Sequence, residues 1–457
     1  MLDQEKIKPQ LKTFDLTMIV VGLVIGMGIF RNPVEVANKA GIPIIFFLAW
    51  ITGAVISFIG ALTFAEIGSR YPVAGGFYKI FSHCYHPAFA FMVNWIIVMS
   101  NAGATALVAI MGAEYIAPIL LPDIPRSTAI SIITISSIAG LWVINMVGIK
   151  VSAKLLNGLM LIKIAMLLLL ISAVFLIKGA PNNPIITPDN PPLKDMATCF
   201  ALCFIPVFFT YGGYQMTMNF GNDIQHARKT MPRAIFFGIT IILLLYLAVN
   251  FSYFKVLGFS GLQNSKTLAS DICGLIFGAV AYKLVAVVMF LSVMAYVNVE
   301  LMSNPRIYFA MADDKILPPI FKRLNHKTQV QEFALTLFCV FILLTLFFMN
   351  SFKALLEYVM FFDSISLIAA ASAIFILRYR DKKAEITNPN PHPPTGIFKI
   401  KGYPYLPALY IMVYLIVNIS VLYANPEAAM WGFILFISGL PLYYLIKYIL
   451  NRNADKV

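Results

Sequence analysis

Apolar stretches of about 20 residues recur along this whole chain, each long enough to cross a hydrocarbon core of about 30 Å. Lipid offers no partner to an exposed peptide group, so a spanning segment must be a helix or a strand of a closed barrel. At this length only helices fit. The stretches lie near 14–38, 44–69, 87–113, 127–147, 152–177, 197–222, 233–257, 279–311, 330–349, 353–377, 404–423 and 428–449. The 457 residues are 60% hydrophobic and 12% charged, about half the charged share of a soluble domain, and mean hydropathy is +0.82. The expected class is an all-α polytopic membrane protein with about twelve transmembrane helices. Met1 to Lys12 is charged and leads directly into the first span, so no cleavable signal peptide is expected.

The net charge of +13 would suit a nucleic-acid partner, but its distribution excludes one. Most Lys and Arg fall in the tails and even-numbered connections, the excess that cytoplasmic loops carry. Lys322, Arg323, Lys327 and the Arg378 to Lys383 cluster are such topology signals. Both termini are therefore expected to be cytoplasmic, with the chain in a plasma (inner) membrane and lipid as its surroundings. The five cysteines are odd in number and mostly sit in apolar spans, which argues against a disulfide framework. Cys199 and Cys203 share a helix face without His or carboxylate at ligand spacing, and the five histidines lie in or beside connections. No metal or cofactor is implied.

Two spans are interrupted by glycine at matching places. The first reads Ile25-Gly26-Met27-Gly28-Ile29 and the second Phe209-Thr210-Tyr211-Gly212-Gly213. An interrupted helix in lipid leaves peptide groups unpaired at several kcal/mol each unless protein or a water-filled cavity receives them. Paired interruptions mark the midplane binding site of a transporter. The first break would present N–H groups at the start of a half-helix, suited to a carboxylate. The second would present carbonyls around Phe209, Thr210 and Tyr211, suited to an ammonium. A zwitterionic amino acid matches both. The competing reading, glycines that only let helices pack closely, explains one break but not the pairing. Tyr211 and Tyr214 are open to two readings, a moving aromatic gate or core.

The breaks open two five-helix units. The expected division is a cytoplasmic segment 1–13, a first repeat 14–178, an external loop 179–196, a second repeat 197–378, a cytoplasmic connection 379–403, two further helices within 404–450 and a tail 451–457. An odd number of helices per unit forces opposite orientations, an inverted repeat. Lys163 lies deep within the fifth span, where a charge is expensive and functional by default.

Five motifs in order resemble the amino acid–polyamine–organocation superfamily, most closely its L-type exchangers and their bacterial relatives. They are Gly26-Met27-Gly28-Ile29-Phe30, Tyr71-Pro72-Val73-Ala74-Gly75-Gly76-Phe77-Tyr78, Phe208 to Tyr214, Asn298 with Arg306 and Met311 to Pro318, and Phe398-Lys399-Ile400-Lys401-Gly402-Tyr403-Pro404. The resemblance implies a LeuT-type 5+5 inverted repeat with two added helices, alternating access, and amino acids or related amines as substrates. It also implies that Lys163 substitutes for a sodium ion, and a buried lysine is a natural site for proton coupling. The chain departs from the pattern at Met27, at Asn222-Asp223, at Asp363 and at Glu300, which replaces a small or hydroxyl residue. Family geometry suggests a Lys163–Glu300 ion pair.

The expected function is a secondary transporter of amino acids, an exchanger or proton-coupled carrier. The alternative is a polyamine or other organic-amine carrier, which extra carboxylates would favour. A membrane enzyme or channel is remote, since no catalytic constellation or selectivity ring is visible.

Overall fold

The computed structural model describes residues 9–176, 193–265, 268–346, 352–387, 396–424 and 426–454. The described residues are 86% helical and form no strand, and the protein is an all-α polytopic membrane protein. The first span is two helices, α1 (Thr13–Val24) and α2 (Gly28–Ala40). They are followed by α3 (Pro43–Arg70), the short α4 (Gly76–Cys84), α5 (Pro87–Leu120), α6 (Arg126–Val147) and α7 (Ile149–Leu176). The second half holds α8 (Leu193–Tyr211), continued by a 3₁₀ segment Tyr214–Asn219, then α9 (Ala227–Asn264), the short α10 (Leu268–Phe277), α11 (Ala279–Asp313), α12 (Glu332–Leu346) and α13 (Phe352–Thr387). Two helices close the chain, α14 (Tyr405–Ala424) and α15 (Pro426–Ala454).

Among the described residues nine helical stretches are long and apolar enough to cross a membrane, with Glu332–Leu346 and Tyr405–Ser420 as shorter apolar helices. With α13 they occupy the positions the hydropathy marks. The expected external loop is outside the described residues up to 192, and its last residues already belong to α8. The side chain of Asp363 is also outside the described set.

The two halves pack alike. Exchanging each span for the one five places along carries observed packing pairs onto observed pairs. Thus α3 packs on α9 and α5 on α11, α3 on α8 as α9 on α1, α5 on α12 as α11 on α6, and α11 on α7 as α5 on α13. The broken helices are central, with α1 and the end of α8 almost wholly buried. The outer helices α6, α14 and α15 show large apolar side chains on the surface, such as Val143, Leu415 and Ile437. Such contiguous apolar surface is stable against lipid but not against water.

Local signals explain the starts of the helices. Pro43 and Pro87 stand in the first turns of α3 and α5, where a missing N–H costs nothing. The His86 Nδ1 accepts the Ala88 N–H at 3.1 Å, capping α5. Gly75, at φ 61°, sits before α4 wedged against Ala310 and the Arg306 carbonyl of α11. A side chain there would push α11 away.

Candidate functional site

Both breaks exist and they touch. α1 ends at Val24, Ile25 to Met27 are non-helical, and α2 begins at Gly28. The unwound stretch is thus Ile25, Gly26 and Met27, while Gly28 and Ile29 form the first turn of the next helix. Likewise α8 runs on through Phe209, Thr210 and Tyr211, and only Gly212 and Gly213 leave it. The two interruptions meet at two points. Gly28 lies against Thr210, so a Cβ there would sit 3.1–3.2 Å from Thr210 atoms. Gly213, at φ 112°, presses on the Leu23 carbonyl. Side chains fasten the same contact. Asn32 Nδ2 donates to Thr210 Oγ1 at 2.8 Å and to the Pro206 carbonyl at 3.1 Å, and Thr210 Oγ1 donates to that carbonyl at 2.6 Å.

The carbonyls released where α1 ends are taken by groups from other helices. Lys163 of α7, fully buried, donates from Nζ to the Ile25 carbonyl. Tyr246 of α9, also fully buried, donates to the Val24 carbonyl at 3.1 Å. The amides at the break face the other way. Those of Met27, Gly28 and Ile29 have no hydrogen-bond partner among the described residues, and they cap the positive end of α2. The last carbonyls of α8 are the corresponding acceptors at its negative end. Gly213 N–H is held by Gln215 Oε1 at 3.0 Å.

These surfaces line one cavity of about 110 Å³, bounded by Gly26, Met27, Gly28, Phe209, Thr210, Gly212 and Gly213 from the breaks. That is room for several waters or one small solute. Glu300 and Tyr296 of α11 and Asn101 of α5 complete the polar wall, and Arg31, which is exposed, lines it as well. Donors on one broken helix and acceptors on the other therefore confront a shared space. This constellation is able to hold a small zwitterion.

Some expected site residues stand elsewhere. Ile25 and Ile29 are buried side chains outside the cavity lining, and Ile25 acts through its carbonyl. Tyr211 packs edge-on to Trp50 at 5.7 Å and beside Tyr246 at 5.3 Å. Tyr214 hydrogen-bonds Tyr410 at 3.3 Å and packs on Phe64. Neither tyrosine lines the cavity, so this geometry places both in the core. The Lys163–Glu300 ion pair is not formed. Lys163 reaches a carbonyl of α1, whereas Asn304, one turn along the same helix, donates to Glu300 Oε2 at 2.8 Å.

Sequence reasoning missed Tyr246, which looks like any aromatic in an apolar span. It also missed Arg31, Asn32 and Asn101, although polar residues inside apolar helices are a usable signal.

Toward the face that carries the N-terminal segment, ion pairs tie the elements together. Arg306, about 9 Å along α11 from Glu300, is buried and pairs with Asp223 through Nε at 2.6 Å and Nη2 at 3.0 Å. Its guanidinium also lies 4.7 Å from the Phe220 ring centre. The Asp223 carbonyl accepts the amides of Gln10 and Leu11 at 2.7 and 2.8 Å, tying the N-terminal segment to the sixth span. Lys79 of α4 bridges to Asp313 and Asp314. Burial opposes that ammonium, but the hydrogen bonds it donates to Asp314 and Asp313 overcome it and raise its pKa above the ordinary 10.5. On the lysine side the stabilisation is therefore fully present below pH 10.5 and is lost as pH rises through the raised value. Glu66, fully buried, is held by Arg378 at 2.7 Å, by Arg70 and by the Ile400 amide. Replacing Asp223 by Ala strands the buried Arg306 guanidinium and is expected to destabilise the protein by about 3–5 kcal/mol. Thermal unfolding in detergent measures this, and an unchanged transition would show that the pair carries no stability.

Residues 11–446 match the family model described as amino acid permease. The chain is 27% identical to the serine/threonine exchanger SteT of Bacillus subtilis (strain 168), over 95% of each protein. It is 26% identical to the human cystine/glutamate transporter, over 97% of this chain and 86% of that protein. It is 25% identical to the large neutral amino acids transporter small subunit 2 of Rattus norvegicus, over 94% of this chain and 79% of that protein.

Proposed function

This chain belongs to the amino acid permease family, and we propose that it is a secondary active transporter that moves amino acids by alternating access, as an exchanger or proton-coupled carrier. One observation carries the reading: unpaired amides of one broken helix and the terminal carbonyls of another line the same cavity. An α-carboxylate suits the N-terminus of α2 and an α-ammonium suits the C-terminus of α8. Relatives along the full length are named as exchangers or transporters of serine and threonine, cystine and glutamate, and large neutral amino acids. Lys163 bonds an unwound carbonyl, the task a bound cation would otherwise serve, so the reading makes sodium unnecessary.

The two five-helix units would rock against each other around the breaks. The ion-paired face would be cytoplasmic, with both termini, and its pairs would hold that side together. Opening toward that face would separate Arg306 from Asp223.

The test is counterflow in proteoliposomes loaded with one unlabelled amino acid and presented with labelled amino acids, with and without pH and sodium gradients. The expected result is accumulation that requires internal substrate or a proton gradient and is indifferent to sodium. Equal uptake without internal substrate or any gradient would overturn the carrier mechanism.

A further inference from the structure

The proposed carboxylate and ammonium poles leave a third wall of the cavity unexplained. It is made by α5 and α11, and its chemistry is lopsided. Asn101 Nδ2 donates to Asn304 Oδ1 at 2.9 Å. Asn304, fully buried, donates in turn to the Glu300 carbonyl at 3.0 Å and to Glu300 Oε2 at 2.8 Å. Both hydrogens of the Asn304 amide are thus spent inside the protein. Asn101 and Glu300 reach the cavity, Asn304 does not. Asn101 has one amide hydrogen engaged by Asn304 and carries an amide oxygen as an acceptor, and it lines the same cavity as Glu300. This wall offers the carboxylate of Glu300 and the amide of Asn101, with the Tyr296 side chain on the same lining.

We propose that Glu300, seconded by Asn101, determines specificity by receiving a cationic group on the substrate side chain, so that the preferred substrate is an amino acid bearing a second ammonium or a guanidinium. The inference rests on the amino acid transport reading. A hydrogen bond between ionised partners is about twice as strong as one between neutral groups, and low dielectric enlarges the difference. A neutral side chain gains only the weaker bond. An acidic side chain meets a like charge. Arg31, which also lines the cavity, belongs to the first turn of α2, the end assigned to the carboxylate. An amine lacking a carboxylate would leave that pole unused, so the site favours a diamino acid over a simple diamine. Asn304 is a positioning residue: it holds the carboxylate and amide side by side without touching the cavity.

The experiment uses the full chain in proteoliposomes and measures homo-exchange of lysine, serine, glutamate and putrescine, each unlabelled inside and labelled outside. The wild type is expected to prefer lysine over serine and to exclude glutamate and putrescine. Glu300→Gln, which keeps shape and removes charge, is expected to lower the lysine-to-serine ratio of kcat/KM roughly tenfold. Asn101→Asp, which adds a second carboxylate to the same wall, is expected to raise that ratio. Should Glu300→Gln fail to fold, the wild-type ranking and Asn101→Asp decide the matter. Serine exchange without lysine exchange, a ratio unmoved by Glu300→Gln, or putrescine exchanged as well as lysine overturns the specificity assignment while the transport reading stands. Exchange of none of the amino acids overturns both.

Discussion

Lys163→Met is expected to bring amino acid exchange down to the level of empty liposomes, while the protein still purifies as a monodisperse folded species. Methionine keeps the apolar stem and removes only the ammonium. The Ile25 carbonyl then stands in a buried site without its donor, at a cost of about 1–3 kcal/mol. That carbonyl belongs to the stretch whose next residues, Gly26 and Met27, line the cavity. Relaxation of the break to regain a partner displaces the amides that would hold the carboxylate. In catalysis a misplacement of about 1 Å costs roughly a hundredfold in rate, and a comparable loss of exchange is expected here. The check pairs homo-exchange with thermal unfolding, because the two readouts separate. A variant that melts a few degrees lower yet exchanges at the wild-type rate would show Lys163 to be structural only.

Gly213→Val is expected to have the second largest effect. At φ 112° a non-glycine residue is strained by about 1–3 kcal/mol, and its Cβ would also collide with the Leu23 carbonyl. Relief requires the two broken helices to separate at the point where they meet. Asn32 would then lose its reach to Thr210 and Pro206, since those bonds span the same crossing. The predicted outcome is at least a tenfold loss of substrate affinity, the equivalent of about 1.4 kcal/mol, together with a lower unfolding temperature. Gly140→Ala serves as the control, since a Cβ there meets nothing within 4 Å. Equal behaviour of the two variants would remove the claim that contact between the breaks shapes the site.

Much of the fold was legible in the order of apolar and polar residues. Hydropathy marks spans because lipid penalises every unpaired peptide group, and each marked span is a helix or a pair of half-helices. The glycine pairs located both breaks, offset by one or two residues, because a helix keeps its hydrogen bonds until the backbone itself must turn. The fine partners were not legible. Tyr246 carried no mark that set it apart from other aromatics. Glu300 was expected beside Lys163, yet Asn304, one turn away, supplies its amide to that carboxylate. Family motifs place helices well but do not fix rotamers.

Local physics, then, was determined by the chain alone: which segments cross lipid, where their hydrogen-bonded ladders break, and that a lysine is set among apolar residues in the fifth span. Only tertiary structure decided which groups meet. Lys163 and the carbonyl it serves are 138 residues apart, and Asn32 and Thr210 are 178 apart. Hydropathy and backbone strain are paid residue by residue and so are written in short windows. The partners of a buried polar group depend on which helices pack side by side and how each is rotated, and that is settled by close packing of the whole bundle.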